Sequence, residues 1–475
     1  MGPAKRALVS TLAATLVGLL VLAFFWHPFL NYDTFYALVW GDDLVHGRTP
    51  QYAVPVAPTP HPLATAVGAV GSLFGRDGEA FMLAAVLFAI GWLVVGLYRL
   101  GSESFAWPVG VLGAAILATR VPPLNYGIRG YVDLPAVAFV VWAAVLEARR
   151  PRRGTAVLVL LGLAGLLRPE AWLFLVGYWL WLFPARGWRA RIGLALLAAA
   201  APAIWLASDL LVTGDALWSL HGTHDLAGQL KRPTGIENVP KLMPRRLGEI
   251  VRLPEGVAGA IGFAAALVWF RRRALVPAAV LALNAVAYVV LAVAGLPLLG
   301  RYLFLAAAMV SLFAGVAVFG WTGLDRDQGT LRGAWRLAGL VVLAAVLVFM
   351  PDQVDRLRTL RSDIRAREQV QSDLERLVRR PAARAALARC EPLFVPNHRP
   401  VPELAYWTGR RPADVVSAQL VRPSRDGLFV APATARSERL SVLDPRDRSA
   451  PAAPPPGYRP LVRNRSWVMY GGGCE

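Results

Sequence analysis

Residues 147–191 read EARRPRRGTAVLVLLGLAGLLRPEAWLFLVGYWLWLFPARGWRAR. Two arginine-rich stretches, 147–154 and 185–191, bracket a run that is nearly all apolar apart from Arg168 and Glu170. Two crossings, 155–167 and 171–184, have to fit between them. At about 1.5 Å per residue, the first rises only about 20 Å, short of a hydrocarbon core of about 30 Å. The turn at Arg168-Pro169-Glu170 is therefore expected below the membrane surface. Charged, non-helical backbone survives at that depth only against protein or a wet cavity. A buried arginine there is suited to bidentate phosphate binding. The alternative is an Arg168–Glu170 pair that merely staples the turn.

The rest of the chain follows the same pattern. Of its 475 residues 56% are hydrophobic and 17% charged, where a soluble domain carries about 25% charged residues. A soluble enzyme, a disordered chain and a small disulfide scaffold are excluded. Met1–Arg6 followed by apolar 7–30 reads as a retained first membrane helix, because the run is too long for a signal peptide and lacks a small-residue cleavage site. Further apolar segments fall at 79–98, 104–119, 131–147, 155–167, 171–184, 192–212, 256–270, 274–297, 302–321 and 337–350, which makes eleven crossings.

The Gly-rich stretch 61–75 is short for a span, and charge decides its place. With 61–75 lying on the outer surface, the loops facing the cytoplasm hold 16 Lys and Arg against 4 acidic residues. The outer loops up to residue 350 then balance at 12 basic and 12 acidic. That bias fits the positive-inside rule. The formal charge of +19 is thus mostly a topology signal, and no nucleic-acid partner is expected. The reading is a multi-pass cell-membrane protein with a cytoplasmic N-terminus and an extracytoplasmic tail.

Two domains are expected, 1–350 in the membrane and 351–475 outside it. Charged residues with apolar ones at helical spacing (Val354, Leu357, Leu360, Ile364) predict a helix leaving the membrane over 351–380. Beyond Cys390, β-like runs and turn residues predict a small α/β domain, with a Pro-rich loop at 449–457. Cys390 and Cys474, the only cysteines, can form a disulfide on that side of the membrane or remain two thiols.

The outer loops carry the chemistry. NYDTFYALVWGDDLVHGRTPQY (31–52) follows the first span. Asp33 stands at the membrane boundary, where a partly desolvated carboxylate can act as a general base. The alternative is that Asp33 caps the helix that follows. Tyr36, Asp42 and Asp43 come next. His221 and His224, beside Asp225, have the spacing of two metal ligands but lack a well-placed third. A surface helix is the plainer reading. No Gly-rich phosphate loop and no G-x-S-x-G is present, which counts against ATP-driven transport and serine hydrolysis.

The pattern Asp33-x-x-Tyr36, Gly47-x-x-Pro50-x-Tyr52, His61-Pro62 and Leu73-Phe74-Gly75 resembles the first outer loop of GT-C superfamily glycosyltransferases, among them the protein O-mannosyltransferases and the lipid A aminoarabinose transferases. NYGIRGYVDLP (125–135), GLAGLLRPEAW (162–172) and GLPLLGRY (295–302) are similar to further segments of those enzymes. The resemblance implies an all-α polytopic membrane fold of about 11 transmembrane helices with amphipathic helices on the outer surface. It implies an inverting transfer of a sugar, a pentose or mannose, from a polyprenyl-phosphate donor to an extracytoplasmic glycan, lipid or protein acceptor. By it Asp33 is the base and Asp133 a second catalytic carboxylate. Arg168, Arg301, Arg129 and Tyr302 hold the donor phosphate, although Arg129 and Asp133 can equally form a plain salt bridge. Tyr36, Asp42, Asp43, His61, Glu170, His221 and His224 position the acceptor, and the carboxylates are candidates for a divalent cation, Mg or Mn. The competing readings are a lipid-linked sugar flippase, which ordinarily shows repeats absent from this sequence, and a catalytically inert assembly scaffold.

Overall fold

The computed structural model describes residues 2–325, 327–442 and 453–473. Among them, six helices are long and apolar enough to cross a membrane, and up to eight if each of two bent pairs counts as one span. The bends are 68° between Trp107–Ala118 and Val121–Gly127, and 105° between the stretches Ile236–Val251 and Leu253–Trp269. The eleven apolar segments read from hydropathy therefore do not all become full-length helices. Thr155–Gly165 and Trp172–Leu182 have 11 residues each, about 17 Å long. Hydropathy counts apolar runs but is blind to where a helix breaks.

Helix Phe304–Phe319 is the central pillar of the bundle, with almost every residue buried. Its small residues let neighbours approach closely. A Cβ on Gly262 of the helix Leu253–Trp269 would stand 1.8 Å from the Phe313 carbonyl oxygen. The pillar begins directly after a short 3₁₀ turn, Gly300–Leu303, so whatever that turn carries is fixed to the most buried helix of the molecule.

The stretch 61–75 forms the helix Pro62–Ser72, only 11 residues long. It lies across the helix Tyr32–Val45 at backbone contact. A Cβ on Gly68 would meet the Ala37 carbonyl oxygen at 2.1 Å, and one on Gly41 the Ala69 nitrogen at 2.2 Å. Glycine at both crossing points locks the two helices together.

The helix expected over 351–380 is present as Met350–Val378, which follows Gly329–Val348 with Phe349 alone between them. After the helix Pro381–Arg389 come, among the described residues, five short strands: β1 (Leu393–Val395), β2 (Val415–Ser417), β3 (Gly427–Pro432), β4 (Arg459–Arg463) and β5 (Trp467–Gly472). Their order is β2-β1-β3-β5-β4, with β1 parallel to both neighbours and β5 antiparallel to both of its own. Tyr36, Trp40 and Tyr52 of the outer loop share one core with Leu374, Leu393, Leu404 and Trp467 of the tail. Tail and outer loop are thus packed as one unit. Cys390 is buried and is not a free thiol, whereas Cys474 and part of the Pro-rich stretch 449–457 lie outside the described residues.

Candidate active site

Asn31 caps the helix Tyr32–Val45, its side-chain oxygen accepting from the Asp33 and Thr34 amides at 2.7 and 3.3 Å. The capping role considered for Asp33 is taken by its neighbour, which leaves the Asp33 carboxylate for other partners. The cap is itself anchored. The Asn31 side-chain amide donates to the Arg129 carbonyl at 2.6 Å, and the Thr34 hydroxyl donates to the Gly130 carbonyl at 2.6 Å. The loop 128–131 is thereby zipped against the start of the helix.

Five charged side chains meet beside it. Arg301, on the turn that leads into the central pillar, places Nη1 3.5 Å from Asp33 and 3.8 Å from Asp133. Arg168 places Nη1 3.5 Å from Asp133, while its Nε donates to Glu170 at 2.9 Å. The staple considered for Arg168 is present, since Nε holds Glu170, while the rest of the fork faces the Asp133 carboxylate. The Arg168 guanidinium also lies 4.3 Å from the centre of the Tyr302 ring, a cation–π contact. Asp133 is only 2% exposed. Its two oxygens, like Arg301 Nε, are buried without a hydrogen-bond partner among protein groups, so these ion pairs are charge contacts rather than closed hydrogen bonds.

Asp33, Arg168, Arg301 and Tyr302 of this cluster line a cavity of about 530 Å³ at the Asp33 end of the bundle. A small apolar space of about 40 Å³ adjoins it among Val137, Val140, Phe174 and Leu305. Arg168, Arg301 and Tyr302 line both spaces, so a polar chamber and an apolar one meet at the two guanidinium groups. Asn284 holds that junction. Its side-chain amide donates to the Tyr302 carbonyl at 3.0 Å and its oxygen accepts from the Ala306 amide at 3.0 Å.

The remaining candidates divide. Arg129 lines the large cavity between the Phe29 and Tyr131 rings. His61 lines it too, with its ring edge-on to Trp205. Burial pushes the His61 imidazole well below its ordinary pKa, and the positive charges of Arg168 and Arg301 push it further. It is a neutral group at pH 7. Tyr36 is fully buried between Tyr32 and Trp40 in the core shared with the tail and does not line the cavity. Asp42 and Asp43 pair with Arg48 at the other end of their helix. His221 pairs with Asp215 at 2.7 Å, and His224 Nδ1 lies 3.2 Å from the Gly295 carbonyl oxygen; the cluster does not include them.

The described residues contain no group of three or more His, Cys, Asp or Glu side chains that could hold a metal ion. Asp33 and Asp133 are matched by guanidinium groups instead, so this donor set does not fit a divalent cation.

Sequence reading did not anticipate the share of the cavity supplied by the tail. Arg367, Gln371, Arg399 and Glu403 all line it. Gln371 donates to the Leu30 carbonyl at 2.9 Å and to Glu403 at 2.7 Å. Burial pushes the Glu403 carboxyl up to about 8, with the nearby Glu79 charge adding to the effect.

No protein-family model and no curated protein sequence matches the chain. Solved structures do. The crystal structure of ArnT from Cupriavidus metallidurans bound to undecaprenyl phosphate is 12% identical, with 99% of this chain and 98% of that chain covered at a TM-score of 0.59. The apo form of the same protein is 15% identical, with the same coverage and a TM-score of 0.56. The archaeal oligosaccharyltransferase AglB from Archaeoglobus fulgidus is 11% identical over 86% of this chain and 64% of its own, with a TM-score of 0.47. ArnT, the aminoarabinose lipid A transferase, is a GT-C membrane glycosyltransferase. Over nearly its whole length this chain, a multi-pass membrane protein, has the GT-C fold.

Proposed function

We propose that this protein is an inverting glycosyltransferase that moves a sugar from a polyprenyl-phosphate donor to an extracytoplasmic acceptor, with the N-terminus cytoplasmic and the tail outside. The observation that carries the reading is the junction of Arg168 and Arg301, shared by a polar chamber and an apolar space. A lipid phosphate needs that combination: cations for the head and an apolar place for the first part of the chain. The structural neighbour bound to undecaprenyl phosphate supports the donor class.

In this reading the phosphate binds between Arg168 and Arg301, and the acceptor hydroxyl enters from the large cavity. Asp33 takes the hydroxyl proton as the oxygen attacks the anomeric carbon. The carbon–oxygen bond to phosphate breaks, and its electron pair leaves with the lipid phosphate. The charge developing on that phosphate falls on preorganised guanidinium groups in a poorly hydrated pocket, where such stabilisation is strongest. Asp133, between the two arginines, offsets their mutual repulsion and draws both guanidinium groups toward one point. Neutral His61 can accept or donate a hydrogen bond to a sugar hydroxyl without adding charge.

The test is to incubate the purified protein in nanodiscs with a panel of polyprenyl-phosphate pentoses and hexoses and measure free lipid phosphate. Release with one sugar class supports the reading. No release across the panel, together with no lipid-phosphate binding, would reject it.

A further inference from the structure

The far end of the helix Tyr32–Val45 carries a second pocket that the proposed transfer does not use. Asp33 and Asp42 are nine residues apart, about 14 Å along the helix axis. Near Asp42 a cavity of about 430 Å³ opens between the outer helices and the tail, lined by Arg48, Arg76, Arg379, Arg384, Arg410 and Arg411. The two carboxylates lining it, Asp42 and Asp43, are both engaged by Arg48, at 2.7 and 2.8 Å. Arg379 pairs with Glu375 at 2.6 Å. Arg76 and Arg384 are exposed. The Arg410 side chain is only 10% exposed, and its nearest carboxylate, Glu391, lies 3.9 Å away. One fork of Arg410 donates to the Leu387 and Cys390 carbonyls, while its Nη1 is buried with no hydrogen-bond partner. The pocket therefore holds a surplus of cations, and one of them has a buried Nη1 that faces Glu391 at 3.9 Å but makes no hydrogen bond.

Its depth relative to the membrane identifies the kind of anion. Arg76 sits where the span Gly75–Ser104 begins. Leu73 and Phe74, directly before it, are 69% and 54% exposed. Large apolar side chains projecting at the end of a span belong in the interfacial layer of the bilayer. Arg76 then stands at headgroup level, with the tail's arginines beside it. Guanidinium forks match phosphate oxygens, and basic residues at a membrane surface attract anionic lipid.

We propose that this pocket binds the headgroup of an anionic phospholipid from the outer leaflet, with Arg76, Arg384 and Arg410 on its phosphate. Because Arg76 comes from the bundle while Arg384 and Arg410 come from the tail, the lipid ties the tail to the membrane domain.

The test titrates the full-length protein in detergent with dioctanoyl phosphatidylglycerol and dioctanoyl phosphatidylcholine, read by native mass spectrometry. The expected result is phosphatidylglycerol binding about tenfold tighter, with the preference lost in the double variant Arg76→Gln/Arg384→Gln. Both positions are exposed, and an unchanged gel-filtration profile checks that the variant is folded. Equal binding of the two lipids, or a preference undiminished in the variant, would overturn the proposal. Displacement of phosphatidylglycerol by an equal concentration of inorganic phosphate would overturn it as well, because the site would then recognise free phosphate rather than a lipid.

Discussion

Arg301 Nη1 lies 3.5 Å from an Asp33 carboxylate oxygen, so the candidate base and a candidate phosphate ligand are each other's partners. A phosphate arriving at Arg301 competes with Asp33 for the same cation. Donor binding and the Asp33–Arg301 pairing are thereby coupled.

Asp33→Asn keeps the shape and removes the base. Transfer should fall by at least about 100-fold, while lipid-phosphate affinity stays the same or tightens because Arg301 is released. Parallel transfer and binding assays check this. Activity within a few-fold of the parent would move the base role to Asp133.

Glu403 gives a pH signature. Its carboxyl titrates at about 8 in the folded protein against an ordinary 4.5. Between those values the unfolded chain has released a proton that the folded one retains, so stability drops as pH rises through that window. Glu403→Gln removes the drop and still accepts the Gln371 hydrogen bond. Thermal midpoints in detergent should coincide at pH 4, and the variant should be a few degrees higher at pH 9. A difference that is constant with pH would exclude Glu403 as the titrating group.

Gly68→Val puts a Cβ 2.1 Å from the Ala37 carbonyl oxygen, so the helix carrying Asp33 has to move. Stability should fall by about 1–3 kcal/mol, and transfer should fall with it. Gly193→Ala, whose Cβ would meet nothing within 4 Å, should leave both unchanged. Thermal unfolding and activity measured on the two variants separate a packing effect from a general intolerance of glycine loss.

What the sequence made legible is what is local or constrained by depth. Arg168 could be located because two short apolar runs force their turn below the surface, and Asp33 because it follows the first span directly. Asn284 escaped notice because nothing in a helix such as Arg271–Val293 marks one polar residue as bracing a turn 18 positions away. The tail's contribution was hidden for a similar reason: Gln371 reaches the Leu30 carbonyl across 341 positions. His221 and His224 have metal-like spacing, yet a pair at i, i+3 says nothing about a third ligand. Hydropathy found the apolar runs but could not distinguish a straight span from the 105° bend at Arg252.

The tail's side of the membrane is tied to that of Asp33, because both belong to one packed unit. His398 stacks edge-on against Tyr32, and Trp407 against Phe35. On the proposed topology, which rests on the positive-inside bias, that unit lies outside the cytoplasm. A cysteine substituted at exposed position 425, Arg425→Cys, should react with a membrane-impermeant maleimide in intact cells. Labelling only after lysis would reverse the orientation and with it the outward-facing site.

Arg168 tests whether the floor of the cavity binds the donor. Its Nε is held by Glu170 at 2.9 Å and its face by Tyr302, so the guanidinium plane is fixed before any ligand arrives. Asp133, at 3.5 Å, faces the rest of the fork without a hydrogen bond, a contact that a phosphate can displace at modest cost. Lysine at this position keeps the charge but loses both the fork and the flat face that stacks on Tyr302. Arg168→Lys should therefore weaken lipid-phosphate binding by about tenfold, and Arg168→Ala should weaken it more, since it also leaves Asp133 buried with one cation fewer. Binding of polyprenyl phosphate to both variants in nanodiscs, measured beside their thermal midpoints, separates lost affinity from lost fold. Unchanged affinity in a folded Arg168→Ala would leave Arg168 as a staple for its turn and make Arg301 the phosphate ligand.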